Sequence, residues 1–333
     1  MTLSILIVNW NSRDLLRQCL RSIDAECRDL TPQIVVVDGG SFDGCAEMLA
    51  ADFPGVDFVQ SADNIGFGRS NNLGFARVTG DLVLLLNPDT EIRPGAVHAL
   101  ISALQSLPNA GLVGARLLNS DFSLQHSVHA LPRPVRQALD SEFLRKTLSR
   151  WSAWAPPANF APSQPAAVEA VSGACMLLRS ETFARIGGFS PAYFMYAEDI
   201  DLCLKVKRAG LKTYHVPGAE ILHHSGASSS TQGSKFSAVM IREALHTYLR
   251  LNHGWLAAAT YRIFSGAAGA LRTLVWMPRL LVTRGAERSA LQRAVSGSKA
   301  VLSWSVGLER WAYQYTPARS ERTQPTIGAS TKK

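Results

Sequence analysis

Residues 82–92 read LVLLLNPDTEI, five apolar residues in succession that stop abruptly at Asn87, Pro88 and Asp89. A run this apolar has no polar side to offer water, so it predicts a strand buried on both faces, as in the middle of a parallel sheet. Residues 3–8 (LSILIV) and 34–37 (IVVV) have the same character and are followed at once by Asn9 and Asp38, and residues 56–60 form a fourth short run. Helix-like stretches at 14–23, 45–51 and 69–78 separate them. Strand and helix alternate about every 25 residues, the pattern of βαβ units. In such sheets ligands sit beyond the carboxyl ends of the strands, so the polar residues directly after each strand are the ones to weigh.

Further along, residues 171–178 (VSGACMLL) predict another strand, 181–186 a short helix stopped by Gly187 and Gly188, 199–209 a helix ended by Gly210, and 212–216 a strand. Between these two parts, residues 119–169 hold prolines among Trp151, Trp154 and Phe160. They predict a long irregular segment with a helix at 135–149, of the kind that serves as a lid or binding loop. From Lys235 the pattern is helical, and the last 15 or so residues are polar and expected to be disordered. The chain thus divides into a catalytic body at 1–233, a basic helical extension at 234–315 and a tail at 316–333.

The composition of 333 residues, 47 % hydrophobic and 18 % charged, excludes disordered and fibrous classes. Five scattered cysteines without C-x2-C spacing exclude a disulfide framework and a zinc site and fit a reducing cytosol. The first apolar run lacks a basic leader and reads as a strand, not a signal peptide. A net charge of +8 suggests nucleic acid until it is divided along the chain: residues 234–333 carry 15 Lys and Arg against 4 Asp and Glu, so the body is net −3 and the end net +11. This is an acidic body with a basic extension that meets an anionic partner, and no nucleic acid is expected.

Three acidic loci fall at strand or helix ends. Asp38, in DGGSFDG, could accept hydrogen bonds from a nucleotide, or form a side-chain turn or helix cap. Asp89, at the tip of LVLLL, suits a hard divalent cation that bridges to phosphates, or caps the helix starting near Pro94. Glu198, Asp199 and Asp201 open a helix that ends in Lys205, Lys207 and Arg208, which complements the helix dipole, yet three carboxylates in four residues exceed what capping needs. Tyr193, Phe194 and Tyr196 beside them offer a stacking surface for a sugar, and desolvation there would raise a carboxylate toward general-base use. His223 and His224 could complete a metal shell, touch a diphosphate or lie idle on the surface. Gly66 and Gly68 lack full dinucleotide-binding spacing, and no P-loop, G-x-S-x-G or H-E-x-x-H string occurs.

Taken in order and spacing, VNWNS (8–12), VVVDGGSFDG (35–44), DNIGFGRSNN (63–72), LLLNPDTEI (84–92), SGACMLLRSETFARIGGFSPAYFMYAEDIDLCLKVKRAG (172–210) and HHSGAS (223–228) resemble glycosyltransferase family 2, closest to its rhamnosyltransferase-like branch, over about residues 3–230. The resemblance implies an α/β GT-A fold with a mostly parallel central sheet, and inverting transfer of a sugar, rhamnose or a related hexose, from a nucleotide-diphosphate donor, dTDP-rhamnose being favoured. It implies that Asn9, Asn11, Asp38, Asn64, Gly66, Asn71 and Asn87 line the donor pocket. Asp89 and His223 would hold Mg2+ or Mn2+, Asp199 in its pair with Glu198 would be the catalytic base, and Tyr196, Asp201 and His224 would lie on the acceptor side. Two departures stand out: Gly39 where the family usually has Asn, and Asn87 in place of the first acid of Asp-x-Asp.

The acceptor implied is a saccharide or lipid-linked saccharide in cell-surface polysaccharide synthesis, which would put the enzyme in the cytoplasm at the inner face of the membrane. Residues 255–283 are apolar with Arg262, Arg272 and Arg279 interspersed, too charged to span cheaply. They are expected to lie on an anionic membrane surface with the arginines toward lipid, or else to pack on the body or across a homodimer. A nucleotidyltransferase would leave Glu198 and Asp199 unexplained. A non-catalytic nucleotide-sugar or saccharide binding protein is the other alternative.

Overall fold

The computed structural model describes residues 1–134, 137, 163–224, 233–309 and 311–314. The tail at 316–333 and nearly all of the helix expected at 135–149 lie outside them. The apolar runs form strands where expected: β1 (Leu3–Asn9), β2 (Gln33–Asp38), β3 (Asp57–Gln60) and β4 (Leu82–Leu86), each parallel to its neighbours in the order β3-β2-β1-β4. All five residues of β4 are buried. In register Asn9 lies opposite Asp38 and Ile7 opposite Leu86, so the three central strands end along one edge.

Helices α1 (Arg13–Glu26), α2 (Cys45–Asp52) and α4 (Ala96–Ser106) cover one face. In α1 the buried residues are Leu16, Cys19, Leu20 and Ile23, the spacing of a single helical stripe. The other face is covered by α3 (Phe67–Phe75), α5 (Ser180–Arg185) and α6 (Glu198–Arg208), through Phe183, Leu202, Cys203 and Val206. All five cysteines are buried and free, and burial pushes the thiols of Cys19, Cys27, Cys45 and Cys203 up to about 12, so they behave as core residues.

The second half of the sheet departs from the expected pattern. Residues 171–178 are not one strand: β9 (Ala170–Val171) ends, Ser172 to Ala174 turn, and β10 (Cys175–Arg179) begins. β10 runs antiparallel to both β4 and β6 (Ala110–Leu118), which makes the sheet mixed where a mostly parallel one was expected. β11 (Lys212–His223) runs on past the expected end at Val216, parallel to β6 through a register shift between Val216 and Glu220, and pairs antiparallel with β5 (Thr90–Ile92) and β8 (Ala166–Val168). The shift falls at Pro217 and Gly218, which cannot hold a regular ladder. β7 (Val128–His129) pairs with β9.

The extension contains α7 (Gly233–His253), α8 (Trp255–Trp276), α9 (Arg279–Val282), α10 (Gly285–Ser305) and α11 (Trp311–Gln314). Its core, with Val239, Tyr248, Leu249, Tyr261 and Trp304, also takes in Tyr193 and Ala197 from the loop that precedes α6. The Trp304 indole N–H donates to buried Glu243 Oε2 at 2.8 Å. Arg262 does not face outward as expected. Its Nη2 donates to the Trp304 carbonyl at 2.7 Å, its Nε to the Ser305 carbonyl at 3.0 Å, and its guanidinium lies 5.1 Å from the Trp304 ring centre. Arg262 thus joins the Gly307 N–H, which donates to the Trp304 carbonyl at 3.0 Å, in capping the last carbonyls of α10. No helix among the described residues is long and apolar enough to cross a membrane.

Arg262→Ala is therefore expected to lower stability by roughly 1–3 kcal/mol in urea unfolding, while exposed Arg279→Ala changes it by less than about 0.5 kcal/mol. Equal effects of the two would contradict the capping role.

Candidate active site

A cleft of about 590 Å³ opens along the edge where β1 and β4 end. Asp89 and Asp199 both line it, together with Asn9, Asn64, Gly66, Asn87, Tyr196, Glu198 and His223 among the residues singled out in the sequence. Two short hydrogen bonds set the two aspartates across one space. Asn87 N–H, at the tip of β4, donates to the Ala174 carbonyl at 3.0 Å, and Gly173 N–H, one residue earlier in the same turn, donates to Asp199 Oδ2 at 2.9 Å. A Cβ on Gly173 would lie 3.1 Å from that of Asp199, so the close approach depends on glycine there. Asp199 Oδ1 accepts the N–H of Ile200 at 2.8 Å, which fixes the carboxylate at the first turn of α6.

Asp89 does not cap α4, whose cap position is Gly95. Its Oδ1 lies 3.3 Å from His223 Nε2, and both side chains are largely buried. The other imidazole nitrogen, Nδ1, is 2.6 Å from Gln125 Oε1, an oxygen that can only accept, so Nδ1 carries the hydrogen. In the neutral ring Nε2 then presents a lone pair toward a carboxylate oxygen. A carboxylate oxygen beside an imidazole nitrogen is the kind of pair a divalent cation takes as ligands. Asn87 Nδ2 is 3.4 Å from the same Nε2, while buried Asn87 Oδ1 has no hydrogen-bond partner among the described residues. One carboxylate oxygen and one imidazole nitrogen thus face each other beside the Asn87 amide group. No group of three or more His, Cys, Asp and Glu able to hold a metal occurs among the described residues.

Glu198 is 7 % exposed, and its Oε2 has no partner among the described residues. Burial, reinforced by the neighbouring charge of Asp199, pushes its carboxyl up to about 8 from an ordinary 4.5. The two residues before it, Tyr196 and Ala197, hold left-handed backbone with φ of 68° and 61°. Such conformations persist without glycine only where the surroundings over-determine them, and here the extension's core supplies those surroundings. Gly66 has φ 86°, and a Cβ there would collide with the Phe194 carbonyl, which instead accepts Phe67 N–H at 3.0 Å. Asn64 Oδ1 accepts Gly66 N–H at 3.0 Å.

Five of the residues expected in the site do not reach the cleft wall. Asp38 is 1 % exposed: its Oδ1 accepts Ser41 N–H at 2.7 Å, and its Oδ2 accepts Ser41 Oγ at 2.6 Å and Asn9 Nδ2 at 2.9 Å. The carboxylate is folded into its own turn and holds Asn9, whose buried Oδ1 has no partner among the described residues. Asn11 accepts Phe42 N–H, and Asn71 donates to the Phe67 carbonyl within α3. Asp201 accepts from Tyr193 OH at 3.3 Å and Asn252 Nδ2 at 3.1 Å, tying α6 to α7. His224 turns to Glu91 at 2.7 Å and Ser120 at 2.8 Å. Trp10, His129, Ile241 and Leu245, none of them singled out above, also line the cleft. The last two come from α7, so the extension forms part of the wall, a contribution no local motif announces.

The fold is of the GT-A type, and comparison with known proteins points to the same class. The model described as "Glycosyl transferase family 2" matches residues 4–163, and that described as "Glycosyl transferase family group 2" matches residues 144–308. Together the two matches span residues 4–308, and they support glycosyltransferase family 2 domains and a glycosyltransferase. It is 29 % identical over 240 residues to the N-acetylglucosaminyl-diphospho-decaprenol L-rhamnosyltransferase of Mycobacterium tuberculosis, covering 68 % of this chain and 77 % of that one. It is 28 % identical over 228 residues to the rhamnosyltransferase WbbL of Escherichia coli, covering 66 % of this chain and 83 % of the relative. A mannosyltransferase of Pyrobaculum calidifontis, solved with GDP-Man and Mn2+, superposes with a TM-score of 0.52 at 16 % identity, over 92 % of this chain and 86 % of that one, and supports the fold.

The folded state holds the Glu198 proton more tightly than the unfolded chain does, so its contribution to stability is intact below about pH 4.5 and is lost as pH rises through about 8. Glu198→Gln is accordingly expected to raise the melting temperature at pH 8.5 relative to the parent and to leave it nearly unchanged at pH 4.5. A pH-independent difference would show that the carboxyl is not held protonated by the fold.

Proposed function

We propose that this chain transfers rhamnose or a related hexose from a nucleotide-diphosphate donor, with dTDP-rhamnose the first to test, to a lipid-linked saccharide at the cytoplasmic face of a membrane. The observation that carries the reading is the shared cleft: Asp89 on the tip of β4 and Asp199 on the first turn of α6 open into one space. The rhamnosyltransferases it is similar to supply the sugar and acceptor class.

In this reading Asn9, Asn64 and Trp10 contact the nucleotide, with Asp38 acting through Asn9 as a positioning residue. Asp89 and His223, with the Asn87 side chain beside them, would hold a divalent cation, and either Mn2+ or Mg2+ is compatible with a carboxylate and an imidazole. Such a cation, when bound, offsets charge on the departing nucleotide diphosphate. Asp199, held by Gly173 N–H, accepts the proton of the acceptor hydroxyl as that oxygen attacks the anomeric carbon from the face opposite the leaving group. Glu198 keeps its proton near neutrality, which limits the negative charge beside Asp199. Tyr196 and Phe194 border the acceptor side, and Ile241 and Leu245 close the cleft. A nucleotide-sugar binding protein without catalysis would have no use for a carboxylate oriented like Asp199.

Asp199→Asn is expected to lower transfer about 10²- to 10⁴-fold while leaving dTDP-rhamnose affinity within a few-fold in calorimetry. Unchanged turnover would exclude Asp199 as the base. Asp89→Ala is expected to weaken Mn2+-dependent donor binding by roughly tenfold or more, and identical metal titrations would remove Asp89 from the ion site. A thermal-shift screen of nucleotide sugars with Mn2+ tests the donor, since only a ligand of the folded state raises its melting temperature.

A further inference from the structure

Helix α8 is apolar on two sides. Its inner side, through Ala258, Tyr261, Gly266 and Gly269, is buried against the rest of the extension. Its outer side carries Leu256, Ile263, Phe264, Leu271 and Leu274, spaced at three, seven and eight residues and all exposed. α8 holds only two charged residues, Arg262 and Arg272. Arg262 is turned inward to the end of α10, and Arg272 is half-buried. Nothing charged therefore interrupts the exposed stripe, and it runs on into α9, where Leu281 is 86 % and Val282 80 % exposed. A continuous exposed apolar strip of this length on a globular chain marks an interaction surface.

The rim identifies the partner. Arg279, Arg284 and Arg288 lie exposed beside Leu281 and Val282, and the whole segment from residue 234 is net +11. Two copies of this chain meeting across the strip would bring like charges together. A bilayer with anionic headgroups answers both features, because apolar side chains enter the acyl boundary while arginines meet phosphate. We propose that the outer face of α8 and α9 is an interfacial membrane-docking surface for anionic lipid. The proposal rests on the lipid-linked acceptor above for its purpose. The same helical body that carries the strip also forms part of the cleft wall, through Ile241 and Leu245 of α7, so docking would present the cleft at a fixed height over the lipid surface.

The test uses the full chain and vesicles of about 30 % phosphatidylglycerol in phosphatidylcholine, beside pure phosphatidylcholine vesicles, with bound protein read by flotation. The parent is expected to float with the anionic vesicles and far less with the neutral ones. A Leu274→Glu, Leu281→Glu double variant is expected to lose about tenfold or more of that binding. Both leucines are more than 70 % exposed, at 72 % and 86 %, so the melting temperature should not move. Arg279→Glu with Arg288→Glu should weaken binding and flatten its salt dependence. Hydrolysis of dTDP-rhamnose by the double variant is measured in parallel: vesicle binding that depends on Leu274 and Leu281 upholds the docking face even if that donor proves wrong. Failure of the parent to float, or equal flotation of parent and double variant, overturns the proposal. So does a parent dimer in light scattering that the double variant dissociates, since the strip would then belong to a second copy.

Discussion

The antiparallel strand β10, inserted between β4 and β6, is the constraint on which the site depends. Were the sheet to continue parallel, the next strand would begin at the far edge and its leading turn would lie away from the ligand cleft. Reversal instead places the Ser172–Gly173–Ala174 turn at the tip of β4, where the Ala174 carbonyl takes the Asn87 amide and the Gly173 amide holds Asp199. The Asp89 end and the Asp199 end of the cleft are thus linked through two adjacent residues, Gly173 and Ala174. Little conformational slack remains between them, which favours preorganisation over induced closure.

Much of the first half of the fold was legible because β1, β2 and β4 are buried on both faces and betray themselves as unbroken apolar runs. β6 escaped because AGLVGARLL mixes glycine and arginine into its apolar residues. The turn inside VSGACMLL was hidden for the opposite reason: Ser, Gly and Ala are small enough to pass for strand residues, and only the partner strand shows the chain reversing. The run of β11 through Pro217 and Gly218 likewise depends on β5 and β8, not on local propensity.

The site divides along a similar line. Asp89, Asp199, Asn87 and His223 stood out because each follows or opens a regular element, and the structure brings them to one cleft. Asp38 and Asp201 stood out for the same reason, yet their carboxylates serve neighbouring turns and helices; a sequence gives the position of an acid but not the donors awaiting it. Arg262 was misjudged because α8 is apolar all round, so periodicity could not say which side packs inward. The wall supplied by α7 lies more than forty residues from Asp199 in sequence and carries no polar signature.

The left-handed pair Tyr196 and Ala197 has a meaning for the architecture as a whole. Each such residue costs about 1–3 kcal/mol unless its surroundings enforce it, and here the enforcing contacts come from Val239, Met240 and the rest of the helical core. The extension is therefore a splint for the segment that carries Asp199, and the helical core and that segment pack as one. A change of acceptor preference by exchanging these helices would have to carry the 193–197 segment with it, because the two have become a single mechanical part.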